Sequence, residues 1–188
     1  MTEFLYYFET MPAWQKLAWI IICLTFTWSL EGLAPLVRFD YRKWQHAATN
    51  FIFLALTIAI NLGVGIASLG IFQWTGANDI GLLHLVQLPV WAELLMAVML
   101  LDFTAQYCIH YLLHKYKWMW KFHMIHHSDT KVDATTGTRH HPGDYLIREI
   151  VAMLSIIVIG APLAYYILYR VATIFFTYLT HANFAVPA

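Results

Sequence analysis

The chain has 188 residues, of which 60% are hydrophobic and 12% are charged, and its formal net charge is zero. Soluble domains carry about 25% charged residues, so this composition excludes an ordinary soluble domain and indicates a membrane protein. The 11 Lys and Arg residues are dispersed along the chain, which excludes the basic stripe of a nucleic-acid-binding protein.

Several apolar stretches are candidates for membrane helices, because a helix needs roughly 20 residues to cross a hydrocarbon core of about 30 Å. They are residues 14–30, 47–72, 89–113, 145–161 and 163–181. The fourth is short, so it predicts either a helix with little tilt or a re-entrant element. Gly160-Ala161-Pro162 predicts a tight hairpin between the last two. The sequence therefore predicts a single all-α domain over residues 1–188, a polytopic membrane bundle of about four to five membrane helices.

Basic residues predict the orientation, since short cytoplasmic loops hold the excess of Lys and Arg. Residues 38–43 and 114–148 are rich in basic residues, whereas residues 73–88 have none. We therefore expect the amino terminus outside and a histidine-rich metal site on the cytoplasmic side, with His181 returning to that face.

The third stretch carries a polar ridge. Asp102, Gln106, His110 and His114 recur every four residues, so an α-helix would place them on one face. A carboxylate inside a membrane normally has a partner or a function. One alternative is a polar seam against a neighbouring helix. With two histidines on the ridge, we interpret Asp102 as an acceptor that holds a ligand imidazole in one tautomer.

Histidines are crowded into residues 110–141, which hold seven of the 10 in the chain. Imidazole is a versatile metal ligand, so the crowding predicts a metal site. In a helix, the three histidines of residues 123–127 share one face at i, i+3 and i+4. The side chains of His140 and His141 should point apart, so we expect one of them to face the site, and the spacing does not say which.

Other histidine chemistries fit less well. A zinc protease of the H-E-x-x-H type needs a glutamate where this chain has Tyr111. Haem would use one or two axial histidines and leave the others unexplained. Many imidazoles with few carboxylates suit Fe, Zn, Cu or Ni. We interpret the isolated His46 and His84 as ordinary polar residues.

The motifs resemble those of the sterol desaturase/fatty acid hydroxylase superfamily of membrane di-iron enzymes. The family pattern is an aspartate in a helix, an H-x3-H box, an H-x2-H-H box, an R-x-H-P-x-acid segment and an H-x-N segment. It reads here as Asp102, HYLLH at 110–114, HMIHHSD at 123–129, TTGTRHHPGD at 135–144 and THAN at 180–183. The resemblance implies amino-terminal membrane helices in residues 1–90 and a histidine-box catalytic region in residues 91–188.

The resemblance also implies a ligand set and cofactors. The metal ligands it implies are His110, His114, His123, His126, His127, His141 and His181. His140 would be a bystander, and Asn183 is a candidate catalytic residue. The implied cofactors are two iron ions, which zinc can replace in a purified sample, with dioxygen as co-substrate.

The implied activity is that of an oxidoreductase that uses dioxygen to hydroxylate or desaturate a C–H bond of a sterol or fatty acyl lipid taken from the bilayer. We expect electrons from a ferredoxin- or cytochrome-type donor acting in trans. The expected location is the cell (inner) membrane, or the endoplasmic reticulum in a eukaryote, with the metal site facing the cytoplasm.

Two features depart from the family pattern. Members commonly have an arginine after the first histidine, where this chain has Tyr111, and we expect this change to affect packing more than metal binding. Members also continue to a final H-x2-H-H cluster. Residues 91–188 contain no such cluster after the H-x-N segment, so we expect a carboxyl-terminal truncation or a short form with an incomplete site.

The alternative function is a non-catalytic metal-binding membrane protein, such as a transporter, a sensor or an inactive fragment. A transporter would distribute polar residues through several membrane helices, whereas here they are concentrated on the third stretch and one loop. Arg170 in the last stretch is the exception. We expect it to pair with an acid such as Asp102 or Glu93, or to lie at a shallower depth.

Overall fold

The computed structural model describes residues 1–185, and nearly all of the regular structure in them is helical. The helices are α1 Thr2–Glu9, α2 Ala13–Leu33, α3 Lys43–Ala77, α4 Val90–Asp102, α5 Ile109–Lys115, α6 Lys117–His127, α7 Pro142–Ile159 and α8 Leu163–His181. A π-helical turn, Phe103–Cys108, joins α4 to α5 without a break. The only β geometry in the described residues is an isolated bridge between Pro35 and Phe184. The predicted all-α class is therefore confirmed.

Four helical segments are long and apolar enough to cross a membrane. They are Ala13–Leu33, Lys43–Leu85, Val90–Lys115 and Leu163–His181. Large apolar side chains such as Ile21, Leu62 and Ile66 point out of the bundle and are more than 60% exposed, as lipid-facing side chains should be. The protein is an integral membrane protein.

α7 runs the length of the bundle although its first turns are polar. Its amino-terminal end lies beside the histidines of α6, where Asp144 contacts His123. Its carboxyl-terminal end meets the turn that follows α3, because a Cβ atom on Gly81 would clash with the backbone of Gly160. An 18-residue helix is about 27 Å long. The fourth predicted stretch therefore forms one continuous helix, and this helix is not one of the four segments that are long and apolar enough to cross a membrane.

The predicted hairpin between α7 and α8 is present. Gly160 ends α7 in the left-handed conformation, with φ of 73°, and its N–H donates to the carbonyl of Ile156 at 2.8 Å. Glycine adopts this conformation without a steric penalty. Pro162 immediately precedes α8, so the chain reverses direction within three residues.

Two apolar cores hold the bundle. The larger core joins α4, α7 and α8 at the hairpin end and includes Leu101, Ile156, Ile159 and Tyr165. The smaller core is formed by Ile109, Leu113 and Met119. It packs α5 against α6 across a bend at Tyr116, where φ is −95° and ψ is 121°. This smaller core fixes the two helices that carry most of the clustered histidines.

Glu31 ties three segments together at the histidine end of the bundle. Its Oε1 atom accepts hydrogen bonds from the backbone N–H groups of Ala134 at 2.6 Å and Asn183 at 2.7 Å. Lys43 lies 3.8 Å from the other carboxylate oxygen. The last turn of α2 therefore anchors both the 3-10 turn Ala134–Thr138 and the segment after α8.

Arg170 pairs with Glu149, so the expectation that it pairs with Asp102 or Glu93 was wrong. The guanidinium donates to the Glu149 carboxylate at 2.7 Å. Arg170 lies 10 positions after Gly160 and Glu149 lies 11 positions before it, so the two residues are at matching depths on the two arms of the hairpin. This spacing is a sequence signal that could have identified the pair.

Removing one partner of this pair should destabilise the hairpin. We expect Arg170→Leu to lower the free energy of unfolding by about 2 kcal/mol, since a buried carboxylate would be left without its cation. The estimate is modest because 30% of the Arg170 side chain is exposed, compared with 4% for Glu149. Thermal unfolding in detergent measures the effect.

The double variant Arg170→Leu/Glu149→Leu is the control for this experiment. It removes the unpaired charge and should recover most of the lost stability. Equal stability of Arg170→Leu and the wild type would show that the pair does not hold the hairpin.

Candidate metal centre

Four histidines from α5 and α6 converge on one small volume. They are His110, His114, His123 and His127, and one potential ligand atom of each lies within 4.8 Å of the others. The Nε2 atoms of His110 and His114 are 3.0 Å apart, and the Nε2 atom of His127 lies 3.1 Å from those of His114 and His123. Nitrogens at right angles around an ion at about 2.1 Å are separated by about 3.0 Å. The spacing is therefore suited to one transition-metal ion.

The local sequence explains this convergence. Each helix contributes a pair of histidines four residues apart, so each pair lies on one face. Tyr116 bends the chain between the helices, and the Leu113–Met119 contact in the smaller core holds the bend. The two histidine faces consequently point at each other.

Asp144 fixes the tautomer of His123. The Nδ1–H of His123 donates to the Asp144 carboxylate at 3.1 Å, and both side chains are fully buried. Burial alone would raise the pKa of Asp144, but hydrogen bonds from His123 and His140 and the charge of Arg148 outweigh it and hold that pKa below its usual value. A buried anion at this nitrogen leaves the Nε2 lone pair of His123 free to face the cluster.

The donor set fits a metal ion better than it fits hydrogen bonding alone. Burial, followed by the proximity of His123 and His114, lowers the pKa of His127, so its imidazole stays neutral near pH 7. A neutral imidazole has one N–H and one lone pair. With several Nε2 atoms aimed at one another, the lone pairs call for a shared cation.

A second group of donors adjoins the first. The Nδ1–H of His181 donates to the carbonyl of Thr177 at 2.7 Å, which leaves its Nε2 lone pair facing the Nε2 atom of His126 at 3.1 Å. The ring of His126 lies 5.5 Å from that of His123. Burial, then the neighbouring His140 and His181, lowers the pKa of His126. The Nδ1 atom of His126 is buried and has no hydrogen-bond partner among the described residues.

The structure places His140, and not His141, beside the cluster. The His140 ring stacks on His126 at 4.8 Å with 3° between the planes, and its Nδ1–H donates to Asp144. His141 instead precedes α7, where its Nδ1 accepts the N–H of Gly143 at 3.0 Å. Its ring stacks on Phe122 at 5.2 Å with 26° between the planes. Metal ligation by His141, with His140 as a bystander, stays a prediction.

Asp102 and Asn183 lie outside the cluster. Asp102 is exposed, and the carboxylate that holds a clustered imidazole is that of Asp144. The side chain of Asn183 pairs with both backbone groups of Val37, at 2.9 and 2.7 Å. This pairing fastens the end of α8 to the segment after α2, and a catalytic role of Asn183 stays a prediction.

His46 has a more specific environment than its interpretation as an ordinary polar residue suggests. It lies 2.8 Å from Asp129 and 3.2 Å from Asp133. Asp133 also caps the 3-10 turn through a reciprocal pair of hydrogen bonds with Thr136. The network holds the loop between α6 and α7 against α3. The aspartate of HMIHHSD was the sequence signal for this partner.

A cavity of about 930 Å³ lies between α4–α5 and α8 and reaches the histidines. At one end it is lined by His110, His114 and His181, and at the other by Val98 and Met99. Asp102 and Gln106 also line it, so the predicted polar ridge faces a cavity and not a helix seam. Such a volume accommodates a small-molecule ligand. The exposed side chain of Met99 shows that the cavity opens to the outside of the bundle.

The Asp144–His123 contact should control metal affinity. We expect Asp144→Asn to weaken metal binding by about 10- to 100-fold, since loss of such an outer hydrogen bond to a ligand histidine typically has that effect. Competition with a chromophoric chelator measures the affinity. The control is Asp40→Asn, which removes an exposed carboxylate. Equal affinities of the two variants would contradict this role of Asp144.

Comparison with known proteins agrees with the architecture of the site. The fatty acid hydroxylase family model matches residues 94–188, which is half of the chain. An ornithine lipid hydroxylase, OlsE of Rhizobium tropici, is 28% identical over 97 residues, which cover 52% of this chain and 29% of that protein. No solved structure matches the chain. The helical bundle and the ordered histidine motifs are thus those of a family member, and the chain belongs to the fatty acid hydroxylase family.

Proposed function

We propose that the protein is a membrane-bound non-haem di-iron oxidoreductase that uses dioxygen to hydroxylate or desaturate a C–H bond of a lipid. The observation that carries this proposal is the cavity between α4–α5 and α8. It joins the exterior of the bundle, at the depth of the apolar helices, to the clustered histidines. A binding site for metal alone would not need a passage of this size for an apolar molecule.

When bound, iron would supply the oxidising chemistry that no side chain provides, namely the activation of dioxygen. Hydroxylation consumes one dioxygen, two electrons and two protons; one oxygen atom enters the C–H bond and the other leaves as water. Desaturation takes the same electrons and protons, removes two hydrogens from the lipid and releases two waters. Both reactions therefore need a source of two electrons.

The residues of the chain would position the reactants. The first group of histidines, with His123 oriented by Asp144, would hold one ion. His126 and His181 would contribute to a second ion. The lining of α8, including Ala172, Thr173 and Phe176, would orient the lipid, since apolar walls exclude water from the reacting carbon.

The distribution of basic residues supports a cytoplasmic position for the metal centre. Residues 38–43 and 114–148 carry the basic residues of the histidine end, and cytoplasmic loops are enriched in such residues. A sterol or fatty acyl lipid could then enter sideways from the bilayer. The name of the ornithine lipid hydroxylase supports hydroxylation of a membrane lipid as the type of reaction. The chain matches only 29% of that relative, so the substrate is part of the proposal.

Oxygen labelling tests the proposed activity. The iron-loaded chain in lipid nanodiscs, reduced with dithionite and exposed to ¹⁸O₂, should yield a lipid containing ¹⁸O or a new double bond. We expect His123→Ala to lower product formation by at least about 100-fold, whereas His84→Ala at the opposite end should retain it. Binding of about one ion, with zinc and iron equally accepted and no lipid product, would favour a non-catalytic metal-binding protein.

Filling the cavity should impair lipid turnover without removing the metal. We expect Ala172→Trp to reduce product formation by about tenfold or more, because an indole would occupy the space between α8 and α5. Metal content should equal that of the wild type. The control is Ala48→Trp, which adds the same ring at an exposed position of α3. Unchanged turnover in Ala172→Trp would show that the lipid does not use this cavity.

A further inference from the structure

The bend between α5 and α6 exposes a cluster of lysines that forms no ion pair within residues 1–185. Lys115, Lys117 and Lys121 are exposed, and residues 103–128 contain no Asp or Glu. Other basic residues near this end are paired, for example Arg139 with Asp129 and Arg148 with Asp144. We call the three lysines the basic elbow.

The basic elbow borders the clustered histidines. A depression of about 310 Å³ is lined by His114, Lys115, Lys117 and Trp120. Its wall is therefore formed in part by one of the histidines that converge on the candidate metal centre. A partner that covers the elbow would come within contact distance of this histidine.

Trp120 connects the depression with the cluster. Its ring lies 5.1 Å from that of His114 and stacks on His127 at 5.5 Å with 27° between the planes. On the exposed face of α6, Lys117, Lys121 and Met124 recur at i, i+4 and i+7. The surface around the basic elbow thus combines positive charge, the exposed apolar side chain of Met124 and the ring of Trp120, which contacts two histidines.

We propose that the basic elbow is the docking surface for an acidic, soluble electron-carrier protein. This inference rests on the proposed function, which requires two electrons for each dioxygen consumed. A one-electron carrier would dock twice in its reduced form, lose one electron each time and leave oxidised. Complementary charge accelerates such encounters, and electron-transfer complexes have small interfaces.

The occupant that competes with this proposal is the anionic lipid surface, since lysines with tryptophan also occur at headgroup level. The position of the cluster favours the protein partner. The lysines border a depression whose wall includes His114 and Trp120, and Trp120 contacts both His114 and His127, so a protein seated on these lysines would lie against the candidate metal centre.

Charge reversal tests the proposal with a plant-type [2Fe–2S] ferredoxin of net negative charge as the probe. The variant is Lys117→Glu/Lys121→Glu in the iron-loaded full chain in zwitterionic nanodiscs. We expect its dissociation constant for ferredoxin to rise by about tenfold or more. The affinity of the wild type should also fall steeply with added salt.

The matched control is Arg38→Glu/Arg42→Glu. It reverses the same number of exposed charges at the same end of the bundle, at residues that do not line the depression beside His114, and its ferredoxin affinity should stay within about twofold of the wild type. Equal weakening of both variants, or of neither, would overturn the proposal. The proposal would also be overturned if Lys117→Glu/Lys121→Glu kept the wild-type affinity for ferredoxin but lost a preference of the wild type for anionic over zwitterionic nanodiscs.

Turnover with two reductants separates this proposal from the proposed function. With dithionite, the elbow variant should form lipid product at the wild-type rate, and with reduced ferredoxin it should be slower by about tenfold. Absence of product from the wild type with dithionite would contradict the proposed function, while the ferredoxin affinities would still test docking.

Discussion

The histidine end of the bundle depends on the hydrogen bonds and the ion pair of the buried Asp144 carboxylate. It accepts hydrogen bonds from His123 and His140 and is paired with Arg148 at 3.0 Å. A buried anion is tolerated only when its lone pairs are satisfied, so these side chains and the first turn of α7 hold one another in place. One residue thereby joins α6, which carries a histidine box, to the first turn of α7.

Other contacts hold the segments around Asp144 in place. Glu31 ties the end of α2 to the loop and to the segment after α8, and His46 holds the same loop through Asp129 and Asp133. At the opposite end, the hairpin turn at Gly160 packs against Gly81. Side chains from α2, α3 and α7 therefore hold the segments around the histidines, which is consistent with a site that must keep neutral imidazoles at short separations.

The spacing of residues in the sequence predicted those features of the site that are determined within a single helix. Pairs at i and i+4 identified the histidines of α5 and α6, because a single helix determines which side chains share a face. The spacing could not show that His140 stacks on His126 or that Asp144 contacts His123, since those contacts depend on how α7 packs against α6. Arg170 was likewise assigned the wrong acids, because its partner lies on another arm of the hairpin.

The π-helical turn at Phe103–Cys108 has a consequence for how this helix can vary. A π turn accommodates one residue more than an α turn, so it sets the angular phase between the deep half of the helix and its histidine half. Loss of that extra residue could be absorbed by conversion to an α turn, whereas deletion of one residue from α4 or α5 would rotate one half against the other by about 100°. Leu101 could then remain in the deep core only if His110 and His114 swung away from α6. Changes of length should therefore be better tolerated in this short turn than in the helical turns on either side of it.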